Sequence, residues 1–79
     1  MYCYRLPEGF EPDGPLWAVW DDGAVRLDRV PSQEEQDGDC QVVGSIFMGY
    51  VVAGSAEEAY EIAEADCLAD PDFSWVPGA

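Results

Sequence analysis

Apolar and polar residues alternate most clearly between positions 16 and 30, and this alternation predicts a β-hairpin. Leu16–Trp20 and Ala24–Val30 are rich in the aromatic and branched side chains that favour strands. Asp21-Asp22-Gly23 stands between them, and Gly tolerates the positive φ of a tight hairpin turn. Alternation assigns one face of the hairpin to Trp17, Val19, Val25 and Leu27, and the other to Trp20, Arg26 and Asp28.

Two further apolar segments lie outside the hairpin. Residues 40–54 are apolar and β-branched, and within them Gly49 to Ala53 predicts a third strand. Tyr2 to Leu6 is either a short strand or an arm laid on the core. Pro and Gly recur between residues 7 and 15, which indicates irregular structure in that region.

One long helix is predicted near the end of the chain. Ser55 and Glu58 form a capping-box pattern, which opens a helix over about Ala56 to Ala69. Asp70-Pro71 ends it, because a residue before proline disfavours helical backbone. Helical spacing gathers one face that should pack on the sheet, formed by Ala56, Ala59, Tyr60, Ala63 and Cys67.

A second capping-box pattern, Ser32 with Glu35, predicts a helix of one short turn. Residues 37–39 should then form a non-helical turn that ends it. The apolar tail should dock back on the body through Phe73, Trp75 and Val76. Together the segments predict a single acidic α+β domain over residues 1–79. Its sheet has three antiparallel strands, with the C-terminal helix packed on one face and short additional helical turns.

Charge is the feature that bears most on function. The 79 residues include 17 Asp and Glu against three Arg, with no Lys and no His, and the formal net charge is −14. A surface of this kind repels nucleic acid and anionic membranes and attracts basic proteins. The apolar fraction of 48% is too high for a disordered acidic chain, so a folded domain is expected.

The residue inventory excludes most catalytic chemistry. Without His there is no Ser-His-Asp or Cys-His pair, and without Lys there is no Schiff base or P-loop. A catalytic pair of carboxylates remains conceivable, but with 17 acidic residues some must lie close together by chance, so such a pair does not indicate catalysis. The acidic segment over residues 34–39 lacks the spacing of an EF-hand loop. We therefore expect no enzyme activity, no cofactor and no specific metal site.

Three cysteines, Cys3, Cys40 and Cys67, lie far apart in the chain, so neither a disulfide framework nor a zinc knuckle is expected. Three reduced or buried thiols are expected, and the alternative is an exposed Cys67 that joins two copies into a homodimer under oxidation. The arginines are expected to be structural, with Asp28 a natural neighbour of Arg26 and Arg29.

The spacing of the acids indicates a binding surface. Glu57 and Glu61 lie about 6 Å apart along the helix axis, and Glu64 extends the row to about 10 Å. Phosphates follow one another every ~3.4 Å along a DNA strand, so a rigid carboxylate row offers comparable charge density. An ordinary solvated face is the alternative, although the helix has no cation to relieve repulsion between its acids. The predicted partner-binding residues are Glu57, Glu58, Glu61 and Glu64 on the helix, Glu34, Glu35, Asp37 and Asp39 before it, and Asp21 and Asp22 at the hairpin turn.

The whole chain resembles the type I-C anti-CRISPR proteins, in length, acidity and the segments over residues 17–23 and 50–59. The resemblance implies a small phage-encoded DNA mimic that binds the Cascade surveillance complex on its basic DNA-binding surface. Such a protein blocks target DNA without binding nucleic acid or membrane itself, and it acts in the cytoplasm of the host bacterium. An acidic inhibitor or antitoxin-like partner of a nuclease or repressor, and a structural phage protein, are the alternatives.

Overall fold

A four-stranded antiparallel sheet forms the centre of the protein, and the computed structural model describes residues 1–41 and 44–67. Its strands stand in the order β1-β4-β2-β3. They cover Tyr2–Cys3 (β1), Leu16–Trp20 (β2), Gly23–Leu27 (β3) and Phe47–Val52 (β4), and the helices cover Gln33–Cys40 (α1) and Ala56–Asp66 (α2). The predicted α+β class is confirmed.

The predicted sheet is one strand short, because the start of the chain pairs with β4. Tyr2 lies opposite Val51, and Cys3 lies opposite Tyr50. The Tyr2 hydroxyl donates to the carbonyl of Met48, and this bond holds β1 along the sheet. The strand interpretation therefore holds for Tyr2–Cys3, whereas Tyr4 and Leu6 lie on the core as the alternative interpretation of an arm predicts.

The predicted hairpin is confirmed, but the predicted assignment of its faces is wrong. The turn contains only Asp21 and Asp22, and Gly23 already pairs with Trp20 as the first residue of β3. In this register Trp17 lies opposite Arg26, so these two side chains share a face. A slip of one residue moves every side chain of a strand to the other face. Val25 and Leu27 consequently lie on the face opposite to Trp17 and Val19.

Strand β4 contains a β-bulge where it pairs with β2. Val19 pairs with Gly49 and Trp20 with Phe47, so Met48 is an extra residue in β4. Gly49 has a φ of 136°, and a Cβ there would lie 2.5 Å from the Tyr2 ring. Glycine is therefore required by both the backbone and the close approach of β1.

The two faces of the sheet bury separate apolar clusters. One cluster lies beneath α2 and is built around Val19, Val51, Ala59 and Ala63. The other lies on the opposite face, where Leu6, Leu16, Ala18, Phe47 and Tyr50 are buried. Because β4 contributes to both clusters, its sequence is an almost continuous apolar run.

Helix α2 begins at the predicted position, and the Ser55 hydroxyl accepts from the backbone N–H of Glu58, which is one of the two bonds of the predicted capping box. The predicted packing face is confirmed for Ala59, Ala63 and Cys67, which are buried, and for Tyr60, which packs against the same cluster, whereas Ala56 is only partly buried. Cys67 caps the helix after Asp66. The predicted end at Ala69 and the docking of Phe73, Trp75 and Val76 lie outside the described residues. No helix in the described ranges is both long and apolar enough to span a membrane.

Helix α1 is longer than the predicted single turn. Both bonds of the capping box between Ser32 and Glu35 are present. The helix then continues through residues 37–39, where a turn was predicted, and ends at Cys40. Fully buried Gln36 explains the difference, because its side chain bonds both backbone groups of Leu6 and the carbonyl of Pro31. Such tertiary bonds outweigh the modest cost of a glycine within a helix.

Candidate functional site

The acids of α2 form an exposed, uncompensated row. All four predicted binding residues of this helix are exposed: Glu57, Glu58, Glu61 and Glu64. Within the described residues the ion pairs are those of Arg5 and Arg29, and neither reaches α2. The remaining arginine, Arg26, lies over the ring of Trp17, 6.0 Å from its centroid.

The acids of α1 are arranged differently, because two of them are neutralised by arginines. The two carboxylate oxygens of Glu35 accept hydrogen bonds from Nη1 and Nη2 of Arg29, each at 2.8 Å. Arg29 therefore pairs with Glu35, and the predicted pairing with Asp28 is wrong. This bond, together with the backbone N–H of Ser32, lowers the pKa of Glu35 to about 2. Asp37 lies 2.7 Å from Arg5 and raises the pKa of that guanidinium.

Asp39 bonds to a residue of the core instead of presenting a free carboxylate to solvent. Its carboxylate accepts the Tyr50 hydroxyl at 2.7 Å, and Asp39 itself is only partly exposed. Burial, followed by the nearby Asp39 carboxylate, raises the pKa of Tyr50. Because the Tyr50 side chain belongs to the face opposite α2, this bond places the end of α1 on that side of the sheet. Glu34 is the acid of α1 that remains exposed and outside this network.

The hairpin turn lies beside α2. Asp21 accepts the backbone N–H of Ile46 at 3.0 Å, and Asp22 accepts the Ser45 hydroxyl at 3.3 Å. The Tyr60 hydroxyl donates to the backbone carbonyl of Asp21 at 3.1 Å, which ties the turn to the helix. The structure therefore brings two of the three predicted acidic clusters together. We name this joint region the α2 acidic surface, formed by Asp21, Asp22, Glu57, Glu58, Glu61 and Glu64.

Between the turn and the helix lies a groove that the sequence did not predict. It has a volume of about 360 Å³ and is lined by Gly23, Ala24, Ala56, Glu57, Tyr60 and Glu61. Helical spacing placed Tyr60 on the packed face, and the ring is indeed half-buried there. Tyr60 therefore lies at the border between the apolar and acidic faces of α2, in contact with both the packed cluster and the groove.

Cys67 is buried, as the expectation of reduced or buried thiols has it, and the alternative of an exposed cysteine at this position is wrong. Its side chain is 4% exposed and packs with Ala59 and Ala63 beneath α2. Its Sγ lies 3.9 Å from the carbonyl oxygen of Glu64. The same helical spacing that assigns Cys67 to the packed face removes it from contact with a second copy. A homodimer through Cys67 would require the end of α2 to leave the sheet.

Within the described part of the chain, no three cysteine or acidic side chains converge as a group that could hold a metal ion. In comparisons with known proteins, no family model, curated protein or solved structure matches this chain. The charge distribution and the geometry of the α2 acidic surface are therefore the observations that bear on function.

Proposed function

We propose that this protein is a DNA-mimicking inhibitor that occupies the basic DNA-binding surface of type I-C Cascade through its α2 acidic surface. The observation that carries the proposal is the distribution of cations. Two arginines neutralise acids of α1, whereas the described structure gives no cationic partner to any acid of α2. A chain with three arginines thus leaves its longest acidic row entirely to solvent or to a partner.

The row is held rigidly enough to act as a mimic. Ala59 and Ala63 fix α2 on the sheet, and Ser55 caps its first turn. Glu57, Glu61 and Glu64 therefore keep spacings of about 6 Å and about 10 Å along one axis. Like charges at these spacings destabilise the helix. A role in binding a basic partner explains why the chain keeps this destabilising row.

Electrostatics also favours fast capture of a basic target. A net charge of −14 on a small body produces a long-range field that steers association with a positive groove. Cascade must hold target DNA through Lys and Arg contacts to phosphates, and carboxylates compete for these cations. The same field would repel DNA from the inhibitor itself.

The choice of Cascade as target rests on the resemblance to type I-C anti-CRISPR proteins. Its two segments, residues 17–23 and 50–59, meet at the α2 acidic surface in this fold. The first contains Asp21 and Asp22 of the hairpin turn, and the second contains Glu57 and Glu58 at the start of α2. Action on Cascade would take place in the host cytoplasm.

Interferometry with immobilised type I-C Cascade tests the proposal. We expect the protein to bind, to prevent later binding of target duplex, and to lose at least about tenfold in affinity between ~50 mM and ~200 mM salt. A complex that still accepts duplex would contradict DNA mimicry. Absence of a complex at physiological salt would overturn Cascade as the target and leave another basic protein, such as a nuclease or repressor, as the candidate partner.

A further inference from the structure

The groove between the hairpin and α2 combines an aromatic wall with two carboxylates. Its apolar lining comes from Gly23, Ala24 and Ala56, and its charged side comes from Glu57 and Glu61. The two carboxylates lie one helical turn apart, and Tyr60 lies beside them toward the apolar face of the helix. The groove therefore differs from the rest of the acidic row, which offers charge alone.

The wall of the groove is held in place. The Tyr60 hydroxyl donates to the carbonyl of Asp21, and the ring packs partly on the cluster beneath α2. An aromatic ring fixed beside exposed carboxylates suits a cation with a flat face. None of the three arginines of this chain fills that role, because Arg5 and Arg29 pair on α1 and Arg26 lies over Trp17.

We propose that the groove receives one arginine side chain from the basic surface of the partner. The proposal rests on the proposed function, and it names the contact that gives the α2 acidic surface its specificity. The guanidinium stacks on Tyr60 and donates to Glu57 and Glu61, while its aliphatic stem lies on Ala24 and Ala56. Arginine fits better than lysine because its planar fork can stack and make paired bonds at once.

Two matched double variants test this assignment. Glu57→Gln with Glu61→Gln neutralises the groove, and Glu58→Gln with Glu64→Gln removes the same charge from the same helix outside it. A tetra-arginine peptide, titrated into each protein and followed by NMR, serves as the probe. For the wild type and the second pair, we expect saturable shifts centred on Gly23, Ala24 and Tyr60. For the groove pair, we expect affinity to fall about tenfold further than for the control pair.

An aromatic pair of variants separates stacking from charge. Tyr60→Phe keeps the ring and should retain peptide affinity within about threefold, whereas Tyr60→Leu should lose about tenfold. Amide spectra of each variant establish that the fold is intact. Equal losses in the two double variants, or shifts spread evenly along α2, would overturn the groove assignment.

The same variants measured against Cascade keep the two proposals distinct. If the wild type binds the peptide in the groove but does not bind Cascade, the groove assignment stands and the proposed target is wrong. If Cascade binds both double variants equally well, α2 acts through charge alone and the groove assignment is wrong.

Discussion

The two helices use their acids in opposite ways, although both begin with a serine cap and are rich in Glu and Asp. In α1, Glu35 and Asp37 bind arginines and Asp39 binds a tyrosine hydroxyl. In α2, the exposed carboxylates contact no cation within the described structure. Composition alone cannot distinguish these cases. The positions of a few arginines decide whether an acidic residue supports the fold or remains available to a partner.

The helices also differ in what fixes them to the sheet. Helix α2 is held by apolar contacts of Ala59 and Ala63, so its attachment needs none of its charges. The only fully buried residue of α1 is Gln36, which is polar and bonds to the backbone of two other segments. Polar bonds and ion pairs therefore hold α1, and neutralising its acids should affect stability before it affects binding.

The largest expected effect comes from neutralising each helix in turn. Glu57→Gln, Glu61→Gln and Glu64→Gln together should weaken binding to the basic partner about 100-fold and leave the free energy of unfolding within about 0.5 kcal/mol of wild type. Glu34→Gln, Glu35→Gln and Asp37→Asn remove the same charge from α1. They should weaken binding less than about threefold but lower the free energy of unfolding, because the ion pairs of Glu35 with Arg29 and of Asp37 with Arg5 are lost.

Interferometry at one fixed salt concentration and urea unfolding measure both triple variants. Equal loss of binding in the two variants would show that net charge alone acts, and the contrast between α1 and α2 would then have no functional meaning. A folding defect in the α2 variant would instead indicate that its acids are structural.

The second effect concerns the polar attachment of α1. Gln36→Ala should lower the free energy of unfolding by about 3 kcal/mol, because the N–H of Leu6 and the carbonyl of Pro31 lose a buried partner, whereas the Leu6 carbonyl keeps its bond from Gln33. Gln33 is a matched control, since it is exposed and also donates to the carbonyl of Leu6. Gln33→Ala should cost about 1 kcal/mol in the same urea titration. A larger loss for Gln33 than for Gln36 would contradict this account.

Sequence patterns predicted the helices and strands that depend on residues close together in the chain. The hairpin follows from strand-forming residues around a turn, and α2 follows from the Ser55 cap and the periodic Ala59 and Ala63. The length of α1 could not be predicted in this way, because it depends on the contact of Gln36 with residues 30 positions earlier. The hairpin register depended on whether Gly23 belongs to the turn or to the strand.

The candidate site was predicted in part for the same reason. The exposed row on α2 follows from helical spacing alone, and its acids are exposed as predicted. The joining of the hairpin turn to α2 depends on the bond from Tyr60 to Asp21, which spans 39 positions. The loss of Glu35 and Asp37 from the surface charge depends on Arg29 and Arg5, whose partners only the folded chain reveals.

The smallest expected effect is the pH dependence of the ion pair that distinguishes α1. The pKa of Glu35 falls from 4.5 to about 2 on folding, so the unfolded chain binds this proton first. The pair therefore stabilises the fold above about pH 4.5, and this contribution disappears as the pH falls through about 2. Wild type should melt a few degrees at most above Glu35→Gln near neutral pH, and the gap should close in acid. Because the pair is exposed, added salt should also narrow the gap. A gap that widens in acid would mean that Glu35 stabilises α1 through its protonated form, and the contrast with α2 would then not rest on charge pairing.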